Sequence, residues 1–131
     1  ADPRQRLRLP ARLAGFALVP PAALVNARIE TRLRGMIEGG VLAEVQDLLR
    51  HRPDATSLPI AKVHGLRELA QVCRGELALA PASRSIAAQT RQYAKRQRTW
   101  FRHRLPELQP LEGTGDGGEA IASVLERLGT R

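Results

Sequence analysis

One cysteine, Cys73, is the only thiol in these 131 residues, so no disulfide can form within the chain. His51, His64 and His103 stand singly, with no cysteine pair at ligand spacing, which argues against a structural zinc site. Cys73 itself is expected to be a small buried apolar residue. No apolar run approaches the ~18 residues that a membrane-crossing helix needs. Aromatic residues are scarce: two Phe, one Tyr and one Trp. Three of these, Tyr93, Trp100 and Phe101, are gathered in one short stretch. Between Glu76 and Glu107 there is no acidic residue at all.

What is present is positive charge. Lys and Arg total 21 against 13 Asp and Glu, a formal charge of +8. Such a balance favours a polyanionic partner, because each neutralised phosphate releases condensed counterions. It does not by itself separate RNA from DNA or from an anionic membrane. The N-terminus places Arg4, Arg6, Arg8 and Arg12 before a short apolar run, faintly like a secretion signal. That run is short and closes on Pro20-Pro21, which fits a buried strand better. A chain that begins with Ala rather than Met reads as an internal fragment.

The spacing of apolar residues predicts a mostly helical chain with one or two short strands. Residues 13–19, LAGFALV, read as a fully buried parallel strand. Helices are expected over 21–38, 41–50, 63–74, 83–104 and 119–128. Gly39-Gly40 should cap the first of them in a left-handed conformation, and Gly75 should end the third. Residues 51–59 read as a loop, 107–111 as a second short strand, and 113–118, GTGDGG, as a flexible loop. The whole is expected as one segment: strand 13–19, a helical nucleic-acid-facing region 21–104, and a terminal strand, loop and helix over 105–131. An isolated apolar strand leaves costly unpaired backbone groups. Both strands are therefore expected to belong to a larger parallel sheet, with a looser helical assembly or pairing to another chain as the competing explanation.

The 83–104 helix carries the chemistry. At 100° per residue, Arg84, Arg91, Lys95, Arg98 and Arg102 share one face. Ile86, Thr90, Tyr93, Ala94, Gln97, Trp100 and Phe101 share the other, which is expected to dock inward. A solvated face normally mixes signs to gain i,i+4 pairs, whereas adjacent like charges repel. The single-sign ridge therefore favours phosphate binding, and the three aromatics read as core before they read as base-stacking platforms.

Three blocks resemble one family. TRQYAKRQRTWFR, Thr90 to Arg102, resembles the near-C-terminal signature of tRNA dimethylallyltransferases, T-R-x-(Y/L)-A-K-R-Q-x-T-W-(F/L)-R. Ala27 to Leu49 resembles the family's R-I-x-x-R-x-x-x-M motif with its later G and E-V, through Arg28, Ile29, Arg32, Met36, Gly40, Glu44 and Val45. Leu58 to Glu68 resembles its G-Y-(R/K)-(E/Q) element through Gly65, Arg67 and Glu68. The order and spacing are the family's, over roughly residues 13–112. Leu66 departs from the family's Tyr, His64 from its Ile or Val, and Pro81, Ala82 and Ser83 from its helix-starting acids.

The resemblance implies the C-terminal part of an α/β P-loop-type parallel-sheet enzyme. That enzyme transfers a dimethylallyl group from its diphosphate to N6 of adenosine 37, in the tRNA anticodon stem-loop. It implies tRNA contacts by Lys62, Val63, His64, Gly65, Leu66 and Arg67, and by Arg91, Lys95, Arg96, Gln97, Arg98, Thr99, Trp100, Phe101 and Arg102. Arg28 and Arg32 become candidates for steadying the diphosphate; pairing with Glu30 or Glu38 is the equal alternative. No G-x-x-x-x-G-K-(S/T) occurs in the sequence. The resemblance thus puts the phosphate loop, the catalytic aspartate and Mg²⁺ on another half, and expects this chain alone to bind RNA weakly and to catalyse nothing. It also implies a cytoplasmic protein, monomeric when complete. The rival reading is a stand-alone basic helical nucleic-acid-binding module, which has no use for strand 13–19. A ribosome-associated structural protein would explain the charge but not the three spaced blocks.

Overall fold

The computed structural model describes residues 14–113 and 118–129. Strand β1 (Phe16–Val19) is followed by helices α1 (Ala22–Glu38), α2 (Val41–His51), α3 (Leu66–Cys73) and α4 (Leu79–Arg104), strand β2 (Gln109–Glu112) and helix α5 (Gly118–Gly129). Two single 3₁₀ turns, Ala55–Ser57 and Pro59–Lys62, occupy the stretch between α2 and α3. The expected strand start at Leu13 and the body of the glycine-rich loop, 114–117, lie outside the described residues.

The chain divides into two compact units, residues 21–100 and residues 14–20 with 101 onward. In the first, Leu33, Val45, Leu66, Leu69, Ala70, Ile86 and Ala87 form the buried core, with Ile29, Leu42, Leu48 and Cys73 packed against it. These are the inward positions of α1 to α4 at spacings of three and four, so local periodicity and tertiary packing agree. Cys73 is half-buried, and its thiol lies 3.6 Å from the Leu42 carbonyl oxygen.

Glycines set the helix boundaries. Gly40 takes the left-handed conformation (φ 96°), while Gly39 stays right-handed. The Gly40 carbonyl accepts from Ala43 N at 2.9 Å, so the residue that ends α1 also starts α2. Gly65 (φ 94°) does the same for α3, its carbonyl accepting from Leu69 N at 2.9 Å. A Cβ at Gly65 would stand 3.3 Å from Ile86, so both the backbone and the space require glycine there. The third helix accordingly begins at Leu66 rather than residue 63. The long helix begins at Leu79 rather than residue 83. Pro81 is no obstacle, because it sits in the first turn, where an N–H has no helical acceptor.

In the second unit the two expected strands lie side by side. β1 and β2 pair in parallel, with Phe16 opposite Gln109 and Leu18 opposite Leu111. Gln109 N donates to Gly15 O at 3.0 Å. Pro110, the next residue, therefore turns its missing donor away from β1, toward the outer edge of β2. Leu111 is buried, but Leu18 is exposed and the rest of β1 only half-buried, where full burial was expected. Two strands cannot cover both faces of a parallel sheet. Helix α5 touches β2, with Arg127 donating to the Pro110 carbonyl at 3.3 Å, yet Ile121, Leu125 and Leu128 of its apolar stripe remain exposed.

Candidate nucleic-acid interface

Helix α4 is held to the core of its unit by two carboxylates from other helices. Glu68 on α3 accepts from Ser85 Oγ at 3.3 Å and from the Gln89 side-chain amide. Glu30 on α1 takes the Arg91 guanidinium, Nη1 to Oε1 at 2.6 Å. Neither contact was anticipated from the sequence. Glu68 lies inside a family block and Gln89 one turn from Ser85, but nothing local joins them across 17 or 21 positions.

From Lys95 onward every side chain of α4 is exposed. This corrects the inward aromatic face: Tyr93 is 45%, Trp100 53% and Phe101 47% accessible. The face that Ile86 and Thr90 bury continues along the helix, but the helix outruns the core that covers it. Lys95, Arg96, Arg98, Arg102 and Arg104 make no ion pair among the described residues. Arg91 is the exception to the ridge, its charge already met by Glu30. Cations strung along a helix at about 1.5 Å of rise per residue, without ion pairs among the described residues, repel one another unless a polyanion lies beside them.

The structure brings all three blocks together: Glu30 meets Arg91, and Val45 and Leu66 share one core. The imidazole of His64 meets the Tyr93 ring edge-on, with centroids 5.2 Å apart and planes at 63°. The loop carrying Lys62, Val63 and His64, all exposed, thereby stands beside the start of the exposed part of α4. Arg67 is exposed on α3. Gly65 and Leu66 differ: both are buried, and the Leu66 side chain is part of the core. Within the expected RNA-facing set, these two serve the fold, one through backbone conformation and one through packing.

Arg28 and Arg32 are exposed on α1. Glu30, proposed as their partner, is engaged by Arg91, and Arg32 makes no ion pair among the described residues. The carboxylate displaced from its ordinary value is Asp54, held low chiefly by the hydrogen bond from Arg52, and that pair is fully exposed on the loop after α2.

Comparison with known proteins follows the same geometry. The sequence profile of a family described as IPP transferase matches residues 2–104. A protein named tRNA dimethylallyltransferase from Rhodopseudomonas palustris is 47% identical over 90 residues, 69% of this chain and 30% of that protein. A protein of the same name from Zymomonas mobilis is 42% identical over 96 residues, 73% of this chain and 30% of the relative. The chain thus spans under a third of the length of these relatives. The crystal structure of full-length tRNA isopentenylpyrophosphate transferase from Bacillus halodurans superposes with a TM-score of 0.73 at 22% identity, covering 94% of this chain and 40% of that one. That of tRNA delta(2)-isopentenylpyrophosphate transferase from Staphylococcus epidermidis gives 0.69 at 23% identity, covering 88% and 38%. At such identities these two structures speak for the fold.

Proposed function

The chain belongs to the IPP transferase family, and we propose that it is the RNA-holding, C-terminal part of a tRNA dimethylallyltransferase. The observation that carries this reading is the second half of α4: exposed, cationic, free of acids, and rooted beside the Lys62–His64 loop. Lys95, Arg96, Arg98 and Arg102 would grip phosphates of the anticodon stem-loop. Such contacts position RNA and leave its sequence unread. The exocyclic N6 of adenosine 37 is the proposed acceptor of the dimethylallyl group. A base must leave the stack before its amine can react, and a protein that fixes the backbone on either side lowers the cost of holding it out.

The diphosphate donor and its phosphate loop are assigned to a portion of the enzyme outside this chain, with Arg28 and Arg32 as candidate supports on the diphosphate side. Mg²⁺, which the family resemblance implies, is assigned to that same portion; among the described residues no group of three His, Cys, Asp or Glu could hold a metal ion. The missing donor of Pro110 supports growth of the parallel sheet on the β1 side, where the remaining enzyme would add its strands. A self-contained basic module has no use for that open edge. No helix among the described residues is long and apolar enough to cross a membrane, and a tRNA substrate suits a cytoplasmic, monomeric enzyme.

The test is a salt series. Fluorescence polarisation of a labelled anticodon stem-loop with the 131-residue chain should show binding that weakens steeply with salt. Replacing Lys95, Arg96 and Arg98 with Ala should lower the slope of log K against log salt by about two to three. An unchanged slope would sink the phosphate-gripping role. Prenyl transfer by the chain alone is expected to be undetectable, and clear turnover would overturn the division of labour.

A further inference from the structure

The His64–Tyr93 contact joins two of the three family blocks at His64, where the family's apolar pattern is broken by a ring. In an edge-on pair the edge of one ring meets one face of the other, at 5.2 Å and 63° here. Three of the four ring faces are thus left uncommitted by the contact. Both residues are exposed, Tyr93 to 45%. Cations stand close to the pair in sequence: Lys62 two residues before His64, and Arg96 three residues after Tyr93, on the same side of the helix. A π-face flanked by ammonium and guanidinium groups has the chemistry of a nucleobase site, with the ring taking the base and the cations taking the adjoining phosphates.

We propose that His64 and Tyr93 form a stacking shelf for one unpaired base of the bound RNA, a proposal that rests on the RNA-holding reading above. The edge-on contact fixes the two rings against each other before RNA arrives. Ordering the rings therefore costs little on binding, and the shelf selects for an unstacked base over one still inside a duplex. The shelf is sequence-tolerant, because every base has a π-face. It discriminates single-stranded loop from stem and leaves base identity unread.

The experiment compares two RNAs, a stem-loop carrying 2-aminopurine at successive unpaired loop positions and a blunt duplex of the same stem. Binding of the native chain should change the 2-aminopurine emission at one loop position. His64→Ile and Tyr93→Ala should each weaken stem-loop binding about tenfold, leave duplex binding and the salt slope unchanged, and abolish that emission change. His64→Phe and Tyr93→Phe should stay within about twofold of native, since a ring is retained, and all four variants should keep the native far-UV circular dichroism. Equal weakening by His64→Phe and His64→Ile would overturn stacking. Native affinity for the stem-loop in His64→Ile and Tyr93→Ala, with affinity still lost in the triple Ala variant of Lys95, Arg96 and Arg98, would overturn the shelf and leave phosphate gripping intact. Native affinity in all of them would overturn both.

Discussion

Arg91 Nη1 lies 2.6 Å from Glu30 Oε1, a contact between α4 and α1 that spans 61 positions of the chain. It withdraws one cation from the α4 ridge. The pair is 39% and 52% accessible, so its own contribution to stability is small, about 0–1 kcal/mol. Its larger effect is on charge. Glu30→Gln should leave the denaturation midpoint nearly in place while releasing Arg91 for RNA. Affinity for the stem-loop should rise, and the salt slope should steepen by just under one. A shallower slope, or none of these changes, would show that Arg91 is out of reach of the RNA.

Gly65 offers a test of the loop that carries His64. Its φ of 94° and the 3.3 Å approach of Ile86 to a built Cβ act together. Gly65→Ala should cost about 1–3 kcal/mol in urea unfolding. Gly40→Ala has a similar φ but open space around it, so its cost should fall at the lower end, about 1 kcal/mol. Equal losses at the two sites would mean that the contact with Ile86 contributes nothing.

Trp100 is the sole tryptophan, and at 53% exposure it reports on the α4 surface. Trp100→Ala should lower stability by less than about 1 kcal/mol, far short of the 3–5 kcal/mol of a buried indole. In the native chain its emission should resemble that of a water-exposed indole, open to acrylamide, and RNA should protect it. Strong shielding from acrylamide without RNA would restore the buried reading that periodicity favoured.

Core residues should behave oppositely. Leu69 is buried in the core cluster to which α1, α2, α3 and α4 all contribute. Leu69→Ala should cost about 2–5 kcal/mol, a large part of the stability of so small a core. Glu68→Ala should cost about 1–3 kcal/mol, because Ser85 and Gln89 lose a charged acceptor in a half-buried place. Neither change should alter the salt slope of RNA binding measured below the unfolding transition.

Much was legible in the residues taken alone, and for a local reason. Helix periodicity, the glycine stops and the acid-free stretch depend on neighbours within a few positions, and α1, α2, α3 and α5 fall within a few residues of where the pattern placed them. Family identity was legible for the same reason, since each block is a short contiguous run. Helix α4 started four residues early because proline is harmless in a first turn, a rule of position within a helix that composition does not announce.

The long-range choices came only with the tertiary structure. Periodicity showed that Tyr93, Trp100 and Phe101 share the face of Ile86, but it cannot say where the opposing core stops. That boundary is set by how far α1, α2 and α3 reach, and it turned an expected buried stripe into an exposed one. The parallel pairing of β1 with β2, the engagement of Arg91 by Glu30, and the meeting of His64 with Tyr93 each join residues far apart in the chain. The sequence by itself determined which segments are helical and which face of α4 is cationic. Tertiary packing decided which of those cations lack an ion pair among the described residues and which rings stay half exposed, because burial and ion pairing depend on what other segments bring into contact.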